Sequence, residues 1–402
     1  MTTKDGIRTR LAMLTKAGNF FKSLPCCAAG LFLGIATVAG CSGGGSGNTG
    51  GGGTPPAQPA ATPTIATTAA QNGAVIVTLS DATSGATIYY TTDGTTPTQS
   101  SPQYIAPFLV ASNLTVNAMA SDAPTYLNSA VATQVFSANI ASGTLVWSDE
   151  FTNTGAGSSA YGQPNPSTWT YDTGTDCCGN SELETYCAWG STTSSCNPSN
   201  PNAYVGATDG YLHVVAENPS GTVYTSGRLK SQGLFSFQYG RIEARMMLPE
   251  SQGMWPAFWL LGNNITINPW PACGESDIME HIDGSNPPIN GTGPGYDWVQ
   301  SSVHGTNLNG GAPFTATGFS AAAWHTYGMI WTKGQVQFYI DDPTNIYETF
   351  TPTSITGTWP FDQGPMFIIL NLAVGGTWPG SPNGTTVFPS TMLVDYVRIY
   401  SN

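Results

Sequence analysis

Three carboxylic acids, Glu275, Asp277 and Glu280, lie within six consecutive residues of the chain. They stand out because Asp, Glu, Lys and Arg together make up only 9% of the sequence, against about 25% in average proteins. In a regular strand, Glu275 and Asp277 would share one face and Glu280 would point to the other. One extra residue, a β-bulge near Met279, would bring Glu280 round to the same face.

Carboxyl groups held on one face suit acid–base chemistry on a sugar. When two of them lie close together, the pKa of one rises and that group keeps its proton near neutral pH. A retaining glycosidase needs such a pair, with a nucleophilic carboxylate about 5–5.5 Å from a carboxylic acid. The spacing therefore predicts an acid–base pair with an auxiliary acid between its members. A solvated acidic strand or a cation site would have the same spacing.

An apolar and aromatic segment, Met254–Leu261, precedes the acids. As a strand it would place Trp255, Ala257 and Trp259 on one face. The two indole rings could then lie against sugar rings, or they could pack in the core. The residues that follow the acids are rich in Gly and Pro, which predicts a loop.

The charge balance excludes polyanionic partners. After Cys41 the chain carries six basic and 23 acidic residues, a net charge of −17. Such a protein would repel nucleic acid and anionic lipid surfaces, so we expect a neutral substrate and no nucleic-acid partner. We also expect a monomer.

Residues 1–41 have the composition of an export signal, with five basic residues before an apolar run at 26–40. A retained single-span anchor would look similar, but the run is short and rich in Gly and Ala. Val38–Cys41 resembles a bacterial lipoprotein box, which implies acylation of Cys41; an ordinary cleavage site is the alternative. Residues 42–63 form a Gly-rich and then Pro-rich linker. We expect an exported protein of the bacterial cell envelope, a surface lipoprotein or an extracellular protein, that meets the membrane only through its lipid.

Five cysteines follow the lipoprotein box, and in an exported protein they are candidates for disulfides. They are Cys177, Cys178, Cys187, Cys196 and Cys273. Because five is an odd number, at least one is expected to be free. Four of them crowd one loop, which suits two local disulfides or, as an alternative, a zinc site, although the spacing fits no usual CxxC pattern. The sequence leaves their connectivity open.

Residues 64–138 show short alternating runs separated by turn residues, which predicts a small β-sandwich module. Its segment Gly85–Thr98 resembles the chitobiase/β-hexosaminidase C-terminal-like domain found on bacterial carbohydrate enzymes. Tyr89, Tyr90 and Tyr104 could form a platform for sugar rings or belong to the module's core.

Residues 145–402 also contain strand-like runs without a long amphipathic helical period. This length and the pattern of strand-like runs predict an all-β fold, a jelly-roll sandwich with a concave groove for an extended polymer.

Eight ordered segments of this region resemble glycoside hydrolase family 16, and within it the laminarinase-like endo-β-1,3-glucanases. They are Leu145–Phe151, Tyr224–Arg228, Tyr239–Arg245, Met254–Trp259, Gly274–Glu280, Val303–Gly305, Leu370–Gly376 and Val394–Tyr400.

The resemblance implies that Glu275 is the nucleophile, Glu280 the general acid/base and Asp277 the residue that tunes the pair. Ser276 departs from the family, which usually has a bulky aliphatic residue there; we expect an effect on packing alone. The ExDxxE spacing matches the bulged laminarinase, agarase and carrageenase type, whereas ExDxE marks lichenases and xyloglucan transferases.

The resemblance also implies a His near the carboxyls, at His304, which could instead have a purely structural role. Asn180 and Arg228 match positions that line the glycone side of the groove, although Arg228 could simply pair with an acid.

No cofactor for catalysis is implied. A structural Ca²⁺ would match main-chain oxygens of Glu150 and Gly210 and the carboxylate of Asp395, which could otherwise be a strand-end acid.

The sequence thus predicts an endo-acting, retaining hydrolase of β-1,3-glucan. Two alternatives stay open: another family 16 specificity, such as agarase or mixed-linkage β-glucanase, and a non-catalytic β-glucan-binding protein.

Overall fold

The computed structural model describes residues 57–152, 161–175, 179–193, 195–283 and 298–402. Within these ranges the chain forms 28 β-strands and no α-helix, which confirms the predicted all-β class. No helix of the described ranges has the length and apolar character needed to cross a membrane. The predicted signal at 1–41, including Cys41, and most of the linker lie outside the described residues.

Eight strands belong to the N-terminal part of the described chain. They are β1 Gln58–Pro59, β2 Thr64–Ala69, β3 Val75–Ser80, β4 Thr87–Thr91, β5 Phe108–Val110, β6 Leu114–Ser121, β7 Tyr126–Leu127 and β8 Ala132–Phe136.

Twenty strands follow. They are β9 Leu145–Asp149, β10 Tyr161–Gly162, β11 Thr170–Tyr171, β12 Gly174–Thr175, β13 Glu184–Tyr186, β14 Ala203–Gly206, β15 Leu212–Ala216, β16 Tyr224–Ser226, β17 Arg228–Lys230, β18 Ser236–Phe237, β19 Gly240–Met247, β20 Met254–Gly262, β21 Glu275–Glu280, β22 Trp298–Gly305, β23 Leu308–Thr315, β24 His325–Thr332, β25 Gln335–Ile340, β26 Ile346–Phe350, β27 Met366–Val374 and β28 Ser390–Tyr400.

Two large sheets dominate the described structure. The eleven-stranded sheet has the order β2-β3-β5-β18-β27-β20-β21-β22-β23, with β17 paired to β27 and β11 to β17. The nine-stranded sheet has the order β10-β14-β15-β28-β19-β24-β25-β26, with β9 paired to β28. Their facing sides carry alternate apolar residues, as expected for strands that bury one face.

The main core lies between these two sheets. Phe258 and Leu370 of the eleven-stranded sheet and Met246, Trp331 and Val397 of the nine-stranded sheet are all fully buried in one cluster. Burial of a large apolar side chain contributes about 1.5–3 kcal/mol, so a cluster of this kind is the main source of stability.

The N-terminal module is a small sandwich of its own, as predicted. Strands β2, β3 and β5 face the three-stranded sheet β4-β6-β8 across a separate core that includes Val77, Phe108 and Val116. Tyr90 is 5% exposed in this core and Tyr104 packs against it, so these two tyrosines serve packing and not a sugar platform. Gln58 and Pro59, in the predicted linker, pair with β7 and so extend the module.

The module is also built into the eleven-stranded sheet, which the sequence did not indicate. β5 pairs in parallel with β18, Ser236 opposite Phe108 and Phe237 opposite Leu109. Leu109 consequently points into the main core with Phe237, while Phe108 points into the module's core. The two domains therefore share one sheet and part of one core.

Replacing Leu109 by Ala should lower the free energy of unfolding of the whole described body by about 2–5 kcal/mol, because a leucine of the main core is lost. Chemical denaturation followed by tryptophan fluorescence measures this change. Val135→Ala, at a module position that is 67% exposed, is the matched control and should change stability little. An unchanged unfolding midpoint in Leu109→Ala would mean that the module folds apart from the rest.

The structure describes three of the five cysteines that follow the lipoprotein box. Cys187 and Cys196 form a disulfide, and Cys273 is free and buried. Cys177 and Cys178 lie outside the described residues.

Candidate active site

The three acids share one face of the eleven-stranded sheet, because their partners on β22 are alternate residues. Cross-strand partners in an antiparallel pair point to the same side. The pairs are Glu275 with His304, Asp277 with Ser302 and Glu280 with Gln300. We call this side of the sheet the acid face.

The predicted β-bulge is present, and Ile278 is the extra residue. On the neighbouring strand Phe258 pairs with Met279 and Trp259 pairs with Asp277, so no residue of β20 is left for Ile278. The hydroxyl of Ser301 donates a hydrogen bond to the Ile278 carbonyl at 2.7 Å. The main-chain oxygen exposed by the bulge is thereby satisfied.

Gly274 sets the start of the acid strand. Its φ is +83°, and a Cβ there would lie 2.7 Å from the side chain of Pro360. A residue with a side chain would meet both a strained backbone and a collision, so glycine is required directly before Glu275.

Ser276 points away from the acid face, as alternation predicts. It is fully buried, and its hydroxyl lies 3.2 Å from the sulfur of Met329 in the facing sheet. The departure from the usual aliphatic residue therefore affects the core between the sheets.

His304 connects two of the acids. Its Nε2 atom lies 3.1 Å from Asp277 Oδ2 and 3.7 Å from Glu275 Oε1. Among the described residues, these three are the only side chains that could together hold a metal ion. A protonated imidazole between two carboxylates accounts for the cluster without a metal.

Glu280 receives two hydrogen bonds from neighbouring strands. The indole N–H of Trp255 donates to Oε1 at 3.0 Å, and the hydroxyl of Ser302 donates to Oε2 at 3.4 Å. Both donors fix the orientation of the carboxyl group on the acid face.

The electrostatics of the site keep one proton on the acid pair. Burial and then the charge of Asp277 raise the pKa of Glu280 to about 8. The same causes raise the pKa of Glu275 to about 8, while His304 and Arg228 oppose the shift. For His304, burial lowers the pKa, but the hydrogen bond and charge of Asp277 outweigh this and raise it to about 10. The charges of His304 and Arg228 both favour the ionised form of Glu275, whereas His304 alone of these two acts on Glu280.

Trp259 and Arg228 lie on one side of the acids. The guanidinium of Arg228 lies 4.8 Å from the centroid of the Trp259 ring, and its Nε donates to Asp172 at 2.9 Å. The indole N–H of Trp259 donates to Asn371 at 2.7 Å. Arg228 therefore both pairs with an acid and borders the acid face.

Asn180 lies at the edge of the acid face, near Trp255. The main-chain carbonyl of Asn180 and the ring of Trp255 both lie next to Gly376. The side-chain amide of Asn180 donates to Glu182 at 3.2 Å. Glu184, two residues further on, is 2% exposed; burial and the neighbouring Glu182 raise its pKa to about 8. A second group of acids, not predicted from the sequence, thus lies beside the first.

Strand pairing brings the three residues of the predicted calcium site near one another. β9 and β15 pair with adjoining parts of β28, Asp149 opposite Val397 and Leu212 opposite Val394, so Glu150 and Gly210 both approach Asp395. The side chain of Asp395 accepts a hydrogen bond from Arg245 at 2.6 Å. The carboxylate of Glu150 is held by Arg398, so only its main-chain oxygen is left for an ion.

Sequence reasoning missed Trp270, Ser302 and Asn371. Trp270 donates a side-chain hydrogen bond to Glu275. Asn371 carries a clear signal, because it is a lone polar residue in β27, a nine-residue strand that is otherwise apolar and wholly buried. Ser302 and Trp270 give no such signal, since only the register and the loop conformation bring them to the acids.

Comparisons with known proteins match two parts of the chain to two families. Residues 188–398 match the family described as glycosyl hydrolases family 16, and residues 67–133 match the chitobiase/beta-hexosaminidase C-terminal domain. The chain is 36% identical over 268 residues to a beta-glucanase of Rhodothermus marinus, covering 64% of this chain and 84% of that protein.

Two solved structures are similar as well. The endo-beta-1,3-glucanase of Pyrococcus furiosus is 34% identical with a TM-score of 0.52, covering 64% of this chain and 94% of that one. The laminarinase of Rhodothermus marinus is 35% identical with a TM-score of 0.52, covering 64% of this chain and 97% of that one. With its matched region spanning more than half of its length, the chain belongs to glycosyl hydrolases family 16.

Proposed function

We propose that the protein is an endo-acting hydrolase that cleaves β-1,3-glucan with retention of configuration. The observation that carries this proposal is the bulged strand β21, which holds Glu275, Asp277 and Glu280 on one face. The similar proteins named beta-glucanase, endo-beta-1,3-glucanase and laminarinase support the substrate. Members of this family need no cofactor for catalysis, and none enters the proposed reaction.

The reaction proceeds in two steps. Glu280, as the acid, protonates the glycosidic oxygen while Glu275 attacks the anomeric carbon, so that the glycosidic bond breaks and a glycosyl-enzyme ester forms. Glu280, now a carboxylate, removes a proton from water, and the water oxygen displaces Glu275 from the same carbon. Two inversions give net retention.

The charges of the site support this division of roles. Glu275 is the acid on which both His304 and Arg228 act, which favours the ionised form that a nucleophile needs. Burial and the negative charge of Asp277 raise the pKa of both acids, and the charge of Arg228 opposes this rise at Glu275. His304 compensates the charge of Asp277 through their contact at 3.1 Å.

Aromatic and polar groups around the acids suit a sugar chain. We assign substrate contacts to Trp255 and Trp259, whose rings border the acid face, and to Asn180 and Arg228. Flat aromatic rings give apolar contact to sugar faces, and polar groups fix the orientation.

Reducing-sugar release from laminarin, agarose and mixed-linkage glucan tests the proposal with the wild type and Glu275→Ser. We expect release from laminarin by the wild type only. Release from agarose alone, or from mixed-linkage glucan alone, would show that the protein has another family 16 specificity and does not act on β-1,3-glucan. Binding to laminarin without any release would favour a glucan-binding protein.

Replacing Trp255 by Phe should shift the basic limb of the pH profile of kcat/KM to higher pH. The indole N–H stabilises ionised Glu280, so its loss raises the pKa of Glu280, and an acid catalyst then stays protonated at higher pH. Trp259→Phe is the matched control, because its N–H bonds Asn371 and not an acid. A shift to lower pH, or equal shifts in both variants, would contradict this role of Trp255.

A structural Ca²⁺ at Glu150, Gly210 and Asp395 is a second proposal. Two main-chain oxygens and the Oδ1 atom of Asp395 suit a hard cation, and Arg245 engages only Oδ2. Calcium should raise the melting temperature of the wild type and have no effect on Asp395→Ala, which removes the side-chain ligand. Equal melting curves with calcium and with a chelator would refute the site.

Anchoring by lipid at Cys41 is a proposal from the sequence, and with it export to the bacterial cell envelope. Mass spectrometry of the mature N-terminus tests it, with Cys41→Ser as the unlipidated control. An unmodified Cys41 in the membrane fraction would exclude the lipid.

A further inference from the structure

The module's second layer stands on the same side of the shared sheet as the acids. In the pairing of β5, β18 and β27, Leu109, Phe237 and Met366 face the main core. Because side chains alternate along a strand, the residues next to these three in the chain face the acid side. Phe108 is one of these, and it packs against the sheet β4-β6-β8. The module consequently covers part of the acid side of the shared sheet.

A cavity of about 680 Å³ lies between the module and the catalytic domain. The module contributes residues such as Asp93 and Gln103, and the catalytic domain contributes Gln238, Asn268 and Gln363. This volume falls within the range of about 300–1,000 Å³ that is usual for small-molecule sites. We call this cavity the module cleft.

Most residues that line the module cleft have polar side chains, and few are charged. Seven of its 23 lining residues carry side-chain amides and only three are charged: Asp93, Lys333 and Asp362. Hydrogen bonds from Thr95 lower the pKa of Asp93, and the charge of Lys333 lowers it further. Asp362 accepts hydrogen bonds from Tyr239 and Gly334. Two acids and one base leave the module cleft with a net charge of −1, which does not favour an anionic ligand.

Side-chain amides and hydroxyls suit a ligand that carries many hydroxyl groups, such as a sugar. A side-chain amide both donates and accepts, as a sugar hydroxyl does. The exposed side chain of Ile267 adds an apolar patch in the same lining.

Tyr239 gives the cleft a fixed aromatic ring. Its φ is +65°, a conformation that is strained for a bulky residue and persists only where the surroundings impose it. The hydroxyl donates to Asp362 at 3.2 Å, and the ring packs edge-on against Trp331 at 5.3 Å. Residues held in this way are frequent at ligand sites.

One loop connects the cleft to the acids. Residues 263–274 follow β20, and Asn264, Ile267 and Asn268 of this loop line the cleft. Trp270 of the same loop bonds Glu275. A glycan in the cleft would therefore lie next to the catalytic groove, on the other side of a single loop.

We propose that the module cleft is a second binding site for a neutral β-glucan chain, separate from the catalytic groove. This inference rests on the proposed function for the identity of the glycan. A second contact would keep the enzyme on an insoluble polymer between cleavages, because two linked contacts release a polymer more slowly than one.

Gly364 allows the cleft to be filled without disturbing the fold. It lines the cleft, its φ is not positive, and a Cβ there would meet no atom within 4 Å. Gly364→Trp should therefore occupy the cleft with an indole ring. Val135→Trp, on the exposed outer strand of the module, is the matched control for added aromatic surface. Asn268→Ala with Gln363→Ala removes two amides as an independent second variant.

The test measures retention of the inactive Glu275→Gln protein on insoluble β-1,3-glucan. Adding Gly364→Trp should weaken retention about tenfold or more, adding the double alanine change should weaken it as well, and adding Val135→Trp should not. In the active enzyme, Gly364→Trp should lower the rate on the insoluble glucan and leave kcat/KM on laminaritetraose unchanged.

Equal retention in all four Glu275→Gln proteins would overturn the second site. Loss of activity on laminaritetraose in Gly364→Trp would also overturn it, since the cleft would then belong to the catalytic groove. Failure of the proposed function would differ from both, because the wild type itself would release no sugar from laminarin.

Discussion

Glu275→Ala should lower kcat on laminarin by about 10⁴–10⁶-fold, the usual cost of removing a nucleophile. The cavity left by the side chain lies on the acid face, beside His304 and Trp270, so the fold should be retained. Circular dichroism and binding of laminarin-derived oligosaccharides would verify this. Retained hydrolysis within about tenfold of the wild type would exclude Glu275 as the nucleophile.

Reaction of the Glu275→Ala variant with azide shows whether Glu275 is the nucleophile or the general acid/base. In Glu275→Ala, azide can enter the space of the lost carboxylate and displace dinitrophenolate from an activated β-glycoside. The C–O bond to the leaving group breaks as a C–N bond forms on the opposite face, which gives the α-glycosyl azide. A β-glycosyl azide from this variant would assign Glu275 to the acid/base role instead.

The sequence predicted the part of the structure that depends on local pattern. Strand periodicity gave the all-β class, and the spacing of Glu275, Asp277 and Glu280 required a bulge if all three were to share a face. The structure has this bulge at Ile278. Alternation also placed Ser276 in the interior. In each case the side-chain period of a strand decides the outcome within a few residues.

Contacts between distant segments were beyond such reasoning. β5 has three residues and β18 has two, so nothing in their composition indicates that they pair and join two domains into one sheet. The hydroxyl of Ser302 reaches Glu280 only because β22 lies in one register against β21. Asn371 was the exception, since an amide within a buried apolar strand marks a polar contact.

Glu182 and Glu184, near Trp255, illustrate the same limit. Glu184 accepts a hydrogen bond from the main-chain N–H of Val374 at 2.7 Å, a contact across 190 positions of the chain. Its neighbour Glu182 accepts from the hydroxyl of Tyr186 at 3.2 Å. In the sequence these acids are indistinguishable from surface residues, because only the fold buries Glu184 and half-buries Glu182.

Glu280→Ala is the second change with a large expected effect, and its size should depend on the leaving group. Hydrolysis of laminarin should fall by about 10²–10⁴-fold, the usual contribution of a general acid. A dinitrophenyl β-glycoside needs no protonation to leave, so formation of the glycosyl-enzyme should be little affected and its hydrolysis should become slow. An initial burst of dinitrophenolate, measured by stopped flow, follows from this.

Glu280→Ala should also change the product with azide and the response to pH. Azide would now attack the glycosyl-enzyme on Glu275 and give the β-glycosyl azide, the opposite anomer to that from Glu275→Ala. In the wild type, kcat/KM should fall as pH rises through about 8, because Glu280 loses its proton there. The variant has no such proton, so this basic limb should be absent when the dinitrophenyl substrate is used. A basic limb that persisted unchanged, together with formation of the α-azide, would mean that residue 280 is not the acid and that the bulge serves another purpose.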